Sequence, residues 1–159
     1  MNIFDFAMEK EKFSEDYYRQ LAAKSNNKGL KTIFNMLADE EARHYKIVSN
    51  MKKYIASEAA ETNILSVVKN VFEKMRESAQ GFNFNINEIE LYKKALKIEQ
   101  QSRDFYLEKA DEVAENQKDI FIELANEEKK HYFLLENIMD FVLKPQTWLE
   151  NAEFYHLDE

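Results

Sequence analysis

The chain has 159 residues, 45% of them hydrophobic and 33% charged, which is enough for one domain with a sizeable core. With Gly 2, Pro 1 and no Cys, the composition argues against hairpin-rich β folds and Gly-rich nucleotide-binding folds, and it excludes a disulfide framework and Cys-ligated metal sites. The net charge of -8 repels polyphosphate backbones, so we expect no nucleic-acid partner.

The N-terminal residues MNIFDFAMEK lack the basic start and the apolar run of a secretory signal. No stretch of the chain approaches the roughly 18 uncharged apolar residues that a membrane-spanning helix needs. We therefore expect a cytoplasmic protein with no membrane partner.

The first two predicted helices are separated by a short turn. Apolar residues recur at helical spacing from about Ile3 to Ala23, which predicts the first helix. The turn-forming residues 25–29 end it, and a second helix is predicted from about Leu30 to Ser57.

A long connector, at about residues 58–87, follows the second helix. An apolar stripe at helical spacing runs through it from Ile64 to Met75, which predicts an extra helix in this crossover. Such a helix could cover the bundle, close a dimer or lie over a site as a lid. Covering the core is the default.

The third long helix is predicted from near Asn87 to about Val113, and the fourth from about Lys118 to Leu143, where Pro145 stops it. Together these elements predict an all-α fold. We expect residues 1–143 to form the helical domain and residues 144–159 to form a C-terminal tail.

The sequence contains an internal repeat of two helical hairpins. The second helix matches the fourth with a spacing of 87 residues, which aligns Glu41, His44 and Tyr45 with Glu128, His131 and Tyr132. The first helix matches the third with a spacing of 88 residues, which aligns Glu11 with Glu99 and Tyr18 with Tyr106. The fold is therefore predicted to be two αα-hairpins in tandem.

Each of the four helices carries one Glu within its apolar stripe, and two of them add a His three residues later. These residues are Glu11, Glu41, His44, Glu99, Glu128 and His131. Ionised carboxylates in a core cost several kcal/mol each and repel one another, unless a cation compensates them. Because no inward Lys or Arg is evident at this level, a bound divalent or trivalent metal is the favoured explanation.

The predicted turns allow these residues to lie at one height in the bundle. In an antiparallel hairpin the turn must fall midway between paired residues, and the midpoint of Glu11 and Glu41 lies in the turn at Asn26. The midpoint of Glu99 and Glu128 lies near residue 113, where helical periodicity fades. Both hairpins therefore permit a shared site.

Two alternatives stay open at this point. The first is a hydrogen-bonded polar layer in which each core histidine is satisfied by a neighbouring Glu, without any metal. The second concerns Glu153 and His156, which repeat the Glu-x-x-His spacing in the tail. Because no matching carboxylates accompany them, we interpret this pair as a coincidence or a tail contact.

One Glu from each of two helices plus Glu-x-x-His from each of the other two resembles the di-iron carboxylate site of ferritin-like four-helix bundles. Three segments resemble the rubrerythrin branch: AMEKE at 7–11, YYRQLA at 17–22 and LADEEARH at 37–44. The similarity covers about residues 1–143. The resemblance implies a ferritin-like up-down four-helix bundle with a long crossover that contains an extra helix.

The resemblance also implies roles for the six residues and two cofactor ions. Glu41 and Glu128 would bridge two iron ions, while the remaining four residues would complete the two metal positions. Manganese or zinc could replace iron at such ligands. Tyr18 and Tyr106 would act as hydrogen-bond donors to the ligands or as one-electron partners in catalysis, or else as core aromatics with an anchored hydroxyl. Asp39 and Glu40, or Asn126 and Glu127, would orient the imidazole N–H groups, or else lie on solvated helix faces.

Full-length rubrerythrins add a Cys-ligated rubredoxin domain. Because this chain has no Cys, the electron donor is expected to be a separate protein. Typical rubrerythrins also carry a further Glu where this chain has Ser102, and the symmetric ligand set resembles a bacterioferritin ferroxidase site. The implied function is a di-iron oxidoreductase that reacts with hydrogen peroxide or dioxygen in oxidative-stress protection, as a homodimer. The alternatives are ferritin-like iron storage and a metal-free structural bundle.

Overall fold

A computed structural model describes residues 2–53, 64–77 and 86–144. These residues form five α-helices and no strand: α1 (Ile3–Lys24), α2 (Lys28–Lys52), α3 (Ile64–Glu77), α4 (Ile86–Lys109) and α5 (Glu115–Leu143). A short 3₁₀ turn, Ala110–Glu112, follows α4. The predicted all-α bundle of two hairpins with a helix in the crossover is confirmed.

The turns of both hairpins lie where the midpoints of the paired Glu residues predicted them. Asn27 caps α2, because its side-chain oxygen accepts the N–H of Leu30 at 2.9 Å. Asn2 caps α1 in the same way through the N–H of Asp5, at 2.8 Å. The predicted end of the second helix near Ser57 is wrong, since Lys53 caps α2 directly after Lys52.

Two apolar clusters fill the bundle, one toward each end. The first joins the C-terminal halves of α1 and α5 to the N-terminal halves of α2 and α4. The second joins the N-terminal halves of α1 and α5 to the C-terminal halves of α2 and α4. Six of the buried Glu and His residues lie between the two clusters and form a polar layer across the middle of the bundle: Glu11, Glu41, His44, Glu99, Glu128 and His131.

Helix α3 covers one end of the bundle, as expected by default for the crossover. Its buried residues Ile64, Val68 and Phe72 belong to the first apolar cluster. The Phe72 ring packs edge-on against Phe141 of α5, with the ring centroids 5.6 Å apart. The side chain of Met75 and the tail with His156 lie outside the described residues. No helix in the described part of the chain is long and apolar enough to cross a membrane.

Candidate metal centre

The polar layer brings together all six residues that the sequence predicted to share a site. Glu11 lies on α1, Glu41 and His44 on α2, and their repeat counterparts Glu99, Glu128 and His131 on α4 and α5. Every one of them is at most 1% exposed. The apolar stripes of four helices therefore converge on four carboxylates and two imidazoles that are shielded from bulk water.

These side chains form two overlapping groups, each able to offer ligand atoms within 4.8 Å of one another. One group contains Glu11, Glu41, His44 and Glu128, and the other contains Glu41, Glu99, Glu128 and His131. Glu41 and Glu128 belong to both. Each group could therefore hold a metal ion, and the two groups have two carboxylates in common.

Both imidazoles turn Nδ1 toward the carboxylates. His44 Nδ1 lies 2.7 Å from Glu128 Oε1 and 3.5 Å from Glu11 Oε2. His131 Nδ1 lies 2.9 Å from Glu41 Oε1 and 3.5 Å from Glu99 Oε1. The two rings are nearly parallel, with centroids 5.8 Å apart and an angle of 8° between their planes. The histidines therefore enter the layer as a matched pair.

The other ring nitrogen of each histidine faces a carboxylate from the opposite hairpin. His44 Nε2 contacts Glu127 Oε2 directly, whereas His131 Nε2 lies 4.0 Å from Glu40 Oε1. Of the four residues predicted to orient the imidazoles, Glu127 and Glu40 are therefore the two that face them. Asp39 instead pairs with Arg19 on the surface, and Asn126 is exposed.

Arg43 also belongs to the surroundings of the site, although its role was not among the sequence predictions. Its guanidinium donates from Nε to Glu40 Oε2 at 3.2 Å, and from Nη2 to Glu127 Oε2. One cation thus joins the two carboxylates that face the imidazoles. The spacing of Glu40 and Arg43 was a usable signal, because residues three apart are neighbours on a helix. The contact with Glu127 crosses the bundle and has no local signature.

Tyr18 and Tyr106 reach the layer from opposite apolar clusters and cross between hairpins. Tyr106 Oη donates to Glu11 Oε1 at 2.5 Å, and Tyr18 Oη donates to Glu99 Oε1. Each tyrosine thus anchors the terminal Glu of the other hairpin. Both tyrosines are buried, so they are core aromatics with an anchored hydroxyl as well as hydrogen-bond donors to candidate ligands.

The crowded charges perturb the protonation of the layer. Burial, with Glu11 and Glu99 nearby, raises the pKa of Glu41 to about 8, and burial with Glu41 nearby raises the pKa of Glu128 well above its ordinary value. Burial alone would lower the pKa of His44, but the adjacent carboxylates, Glu11 first, raise it well above 6.5. In the metal-free protein, bound protons therefore reduce the repulsion among the carboxylates of this layer.

Several oxygen atoms of the layer have no hydrogen-bond partner among the described residues. They are Glu11 Oε2, Glu41 Oε2, Glu99 Oε2 and both carboxylate oxygens of Glu128, of which Oε1 has the ion-pair contact with His44 but no hydrogen bond. Buried polar atoms are rarely left without partners, because each one costs about 1–3 kcal/mol. The donor set of hard oxygens and two imidazole nitrogens fits two divalent cations such as iron, and these oxygens are available to bind them.

Comparison with known proteins gives one match. The family model described as Rubrerythrin matches residues 2–139 of the chain, which include the whole polar layer. No curated protein and no solved structure matches the chain significantly.

Proposed function

The chain belongs to the rubrerythrin family, and on that premise we propose that it is a non-haem di-iron oxidoreductase that acts on hydrogen peroxide or dioxygen. The observation that carries the proposal is the sharing of Glu41 and Glu128 by two buried groups of candidate ligands. Four ionised carboxylates also balance the charge of two ferrous ions, which suits a buried site. The cellular role proposed with it is protection against oxidative stress.

When bound as a ferrous pair, iron would supply two electrons, which with two protons reduce hydrogen peroxide to two water molecules or dioxygen to hydrogen peroxide. Glu41 and Glu128 would hold both ions, Glu11 with His44 one of them, and Glu99 with His131 the other. The surrounding apolar clusters exclude bulk water from the layer. Manganese and zinc suit the same donors, so the identity of the metal is part of the proposal.

The tyrosines and the outer carboxylates would position these ligands. Tyr106 fixes one oxygen of Glu11 and leaves Oε2 available, and Tyr18 does the same for Glu99. Glu127 accepts a hydrogen bond from the Nε2–H of His44, which leaves Nδ1 as the metal-binding nitrogen. We propose this positioning role for Tyr18 and Tyr106 in catalysis.

Two partners belong to the proposal. A separate electron-donor protein would return the oxidised pair to the ferrous state, because each turnover removes two electrons. A homodimer is the proposed assembly, as the family resemblance implies. Iron storage is the main competing function, since a carboxylate-rich site that oxidises ferrous iron would also serve deposition in a cage.

The decisive experiment is iron stoichiometry after aerobic loading with excess ferrous salt and gel filtration. We expect about two irons per chain, as two overlapping ligand groups predict, and their loss in the Glu41→Ala/Glu128→Ala double variant. Many irons per chain in a large particle would indicate storage. A wild-type chain that retains none would leave the metal-free polar layer as the better interpretation.

A further inference from the structure

A groove of about 320 Å³ opens between α1 and α4, beside the polar layer. Its floor includes Ser14 and Ser102, which are 1% and 3% exposed. Ser14 follows Glu11 by three residues and Ser102 follows Glu99 by three, so each serine lies one helical turn, about 5–6 Å between Cβ atoms, from a terminal Glu. The floor of the groove therefore lies one helical turn from Glu11 and from Glu99, which are buried behind it.

The walls of this groove are largely apolar. Phe6 and Phe13 line it from α1 and remain 45% and 55% exposed, and Ile98 lines it from α4. The Lys10 ammonium lies 5.4 Å from the centroid of the Phe6 ring, a cation–π contact that holds the ring in place. Exposed aromatic rings beside a concave surface are typical of sites that bind small apolar groups.

The floor carries an unused polar atom. Ser14 Oγ is buried and has no hydrogen-bond partner among the described residues, although Ser14 lines the groove. Buried hydroxyls are ordinarily paired, so an unpaired one at the end of a groove marks a position for a ligand atom that can form a hydrogen bond. The groove thus combines apolar walls with a polar end.

The size of the groove favours a ligand larger than hydrogen peroxide. Its volume of about 320 Å³ lies at the lower end of the range of small-molecule sites, about 300–1,000 Å³, and hydrogen peroxide would fill a small part of it. A ligand that matches the groove has a compact apolar group for the aromatic walls and an oxygen function for the serine end. Under the proposed di-iron function, a ligand of this kind whose oxygen function can be reduced would be a substrate.

We propose that this groove binds organic hydroperoxides, with the apolar group between Phe6, Phe13 and Ile98 and the hydroperoxide group at Ser14. This inference rests on the proposed di-iron function. With iron bound, the reaction would break the O–O bond and would consume two protons and two electrons, which the ferrous pair would supply. The products are the alcohol and water, and an external electron donor restores the ferrous pair.

The first test is binding in the absence of metal. 2-Phenyl-2-propanol, the alcohol formed from cumene hydroperoxide, is added to the full-length metal-free protein, and binding is followed by NMR chemical shifts. We expect saturable shifts at Phe13, Ile98 and Ser14, weakened about tenfold by Phe13→Ala, because an apolar wall is lost. Ser14→Ala, which removes only the hydroxyl, should weaken binding severalfold. Absence of saturable shifts at these residues would overturn the proposal.

The second test compares two oxidants with the iron-loaded protein. Phe13→Ala should lower the ratio of kcat/KM for cumene hydroperoxide to kcat/KM for hydrogen peroxide about tenfold. Tyr45→Ala, which truncates a surface aromatic on α2 outside the groove, is the matched control and should leave the ratio unchanged. An unchanged ratio in Phe13→Ala would overturn the groove proposal alone. Failure to hold iron or to react with hydrogen peroxide would contradict the di-iron function, while the binding test would still decide about the groove.

Discussion

The two halves of the polar layer follow one plan but differ in their outer contacts. Each half has a terminal Glu, a His and a tyrosine that crosses from the other hairpin. Yet His44 Nε2 contacts Glu127 directly, whereas His131 Nε2 lies 4.0 Å from Glu40 and has no hydrogen-bond partner in the described part of the chain. The repeat therefore preserves both the candidate ligands and the outer residues Glu40 and Glu127, but the contacts of these two Glu residues with the imidazoles differ.

The two hairpins also differ in the cation beside these outer carboxylates. Arg43 bridges Glu40 and Glu127, while its counterpart in the second hairpin is Lys130, for which no such bridge exists among the described residues. A guanidinium can donate to two carboxylates in a fixed geometry, which a single ammonium does less well. The two candidate metal positions are therefore inequivalent although their ligands match.

The largest expected effect distinguishes a carboxylate that belongs to both ligand groups from one that belongs to a single group. Glu128→Gln should abolish binding of both irons, because Glu128 belongs to both ligand groups. Glu11→Gln should remove only the iron of its own half, leaving about one per chain, since the other ligand group keeps all its members. Iron analysis after anaerobic loading and gel filtration measures both. Equal losses in the two variants would show that the halves do not bind metal independently.

The second effect concerns pH and distinguishes the metal-free layer from the loaded one. With a pKa of about 8, Glu41 keeps its proton in the folded protein at pH values where the unfolded chain, near 4.5, has lost it. Folded protein then binds more protons than unfolded protein, so stability falls as pH rises, by about 1.4 kcal/mol per pH unit for each such proton. The raised pKa of His44 and of His131 acts in the same direction above pH 6.5.

We therefore expect the Tm of the metal-free protein to fall between pH 5.5 and 8. The carboxyls of Glu11 and Glu99 do not oppose this trend. Burial raises their pKa values, but the nearby histidines outweigh that effect, so both pKa values are lowered. The contribution of these two carboxyls to stability is therefore lost only in more acidic solution. The metal-loaded protein should show the opposite slope, since binding requires ionised carboxylates and neutral imidazoles. Thermal denaturation of both forms checks this, and Glu41→Gln should flatten the slope of the metal-free form. A metal-free Tm that rises over this range would contradict the assignment of protons to the layer.

The repeat explains how much of this site could be predicted. Helical spacing and the recurrence of Glu41 and His44 at Glu128 and His131 indicated which residues face the core, and the midpoints of the pairs indicated their common height. Local spacing could not indicate that Tyr18, one heptad after Glu11, donates to Glu99 instead. Contacts across the bundle depend on the rotation and distance of packed helices, which no pattern along one helix contains.

The third effect tests whether the tyrosines are equivalent, as their matched contacts suggest. Tyr106→Phe and Tyr18→Phe each remove a donor from a buried carboxylate, so each should lower the free energy of unfolding of the metal-free protein by about 1.5–3 kcal/mol. Urea denaturation at neutral pH measures the loss. Tyr45→Phe, at an exposed position on α2, is the control and should have little effect. If only one variant loses stability, the two tyrosines are inequivalent as well.

The smallest expected effect addresses the origin of the inequivalence. Arg43→Gln removes the charge that, with the hydrogen bond from His44, holds the pKa of Glu127 below its ordinary value against the effect of burial. Glu127 would then orient His44 less well, and metal affinity at that half should fall about tenfold, because the groups behind a ligand typically contribute that much.

Lys130→Gln, the matched change in the other hairpin, should leave both affinities unchanged, because Lys130 bridges no comparable pair among the described residues. Stepwise metal titration followed by calorimetry separates the two positions, and circular dichroism verifies that both variants are folded. If Arg43→Gln weakens both positions equally, the guanidinium acts on the layer as a whole through Glu40 and Glu127 together. If it weakens only the position at His44, the direct contact of Glu127 with that imidazole is what makes the two halves differ.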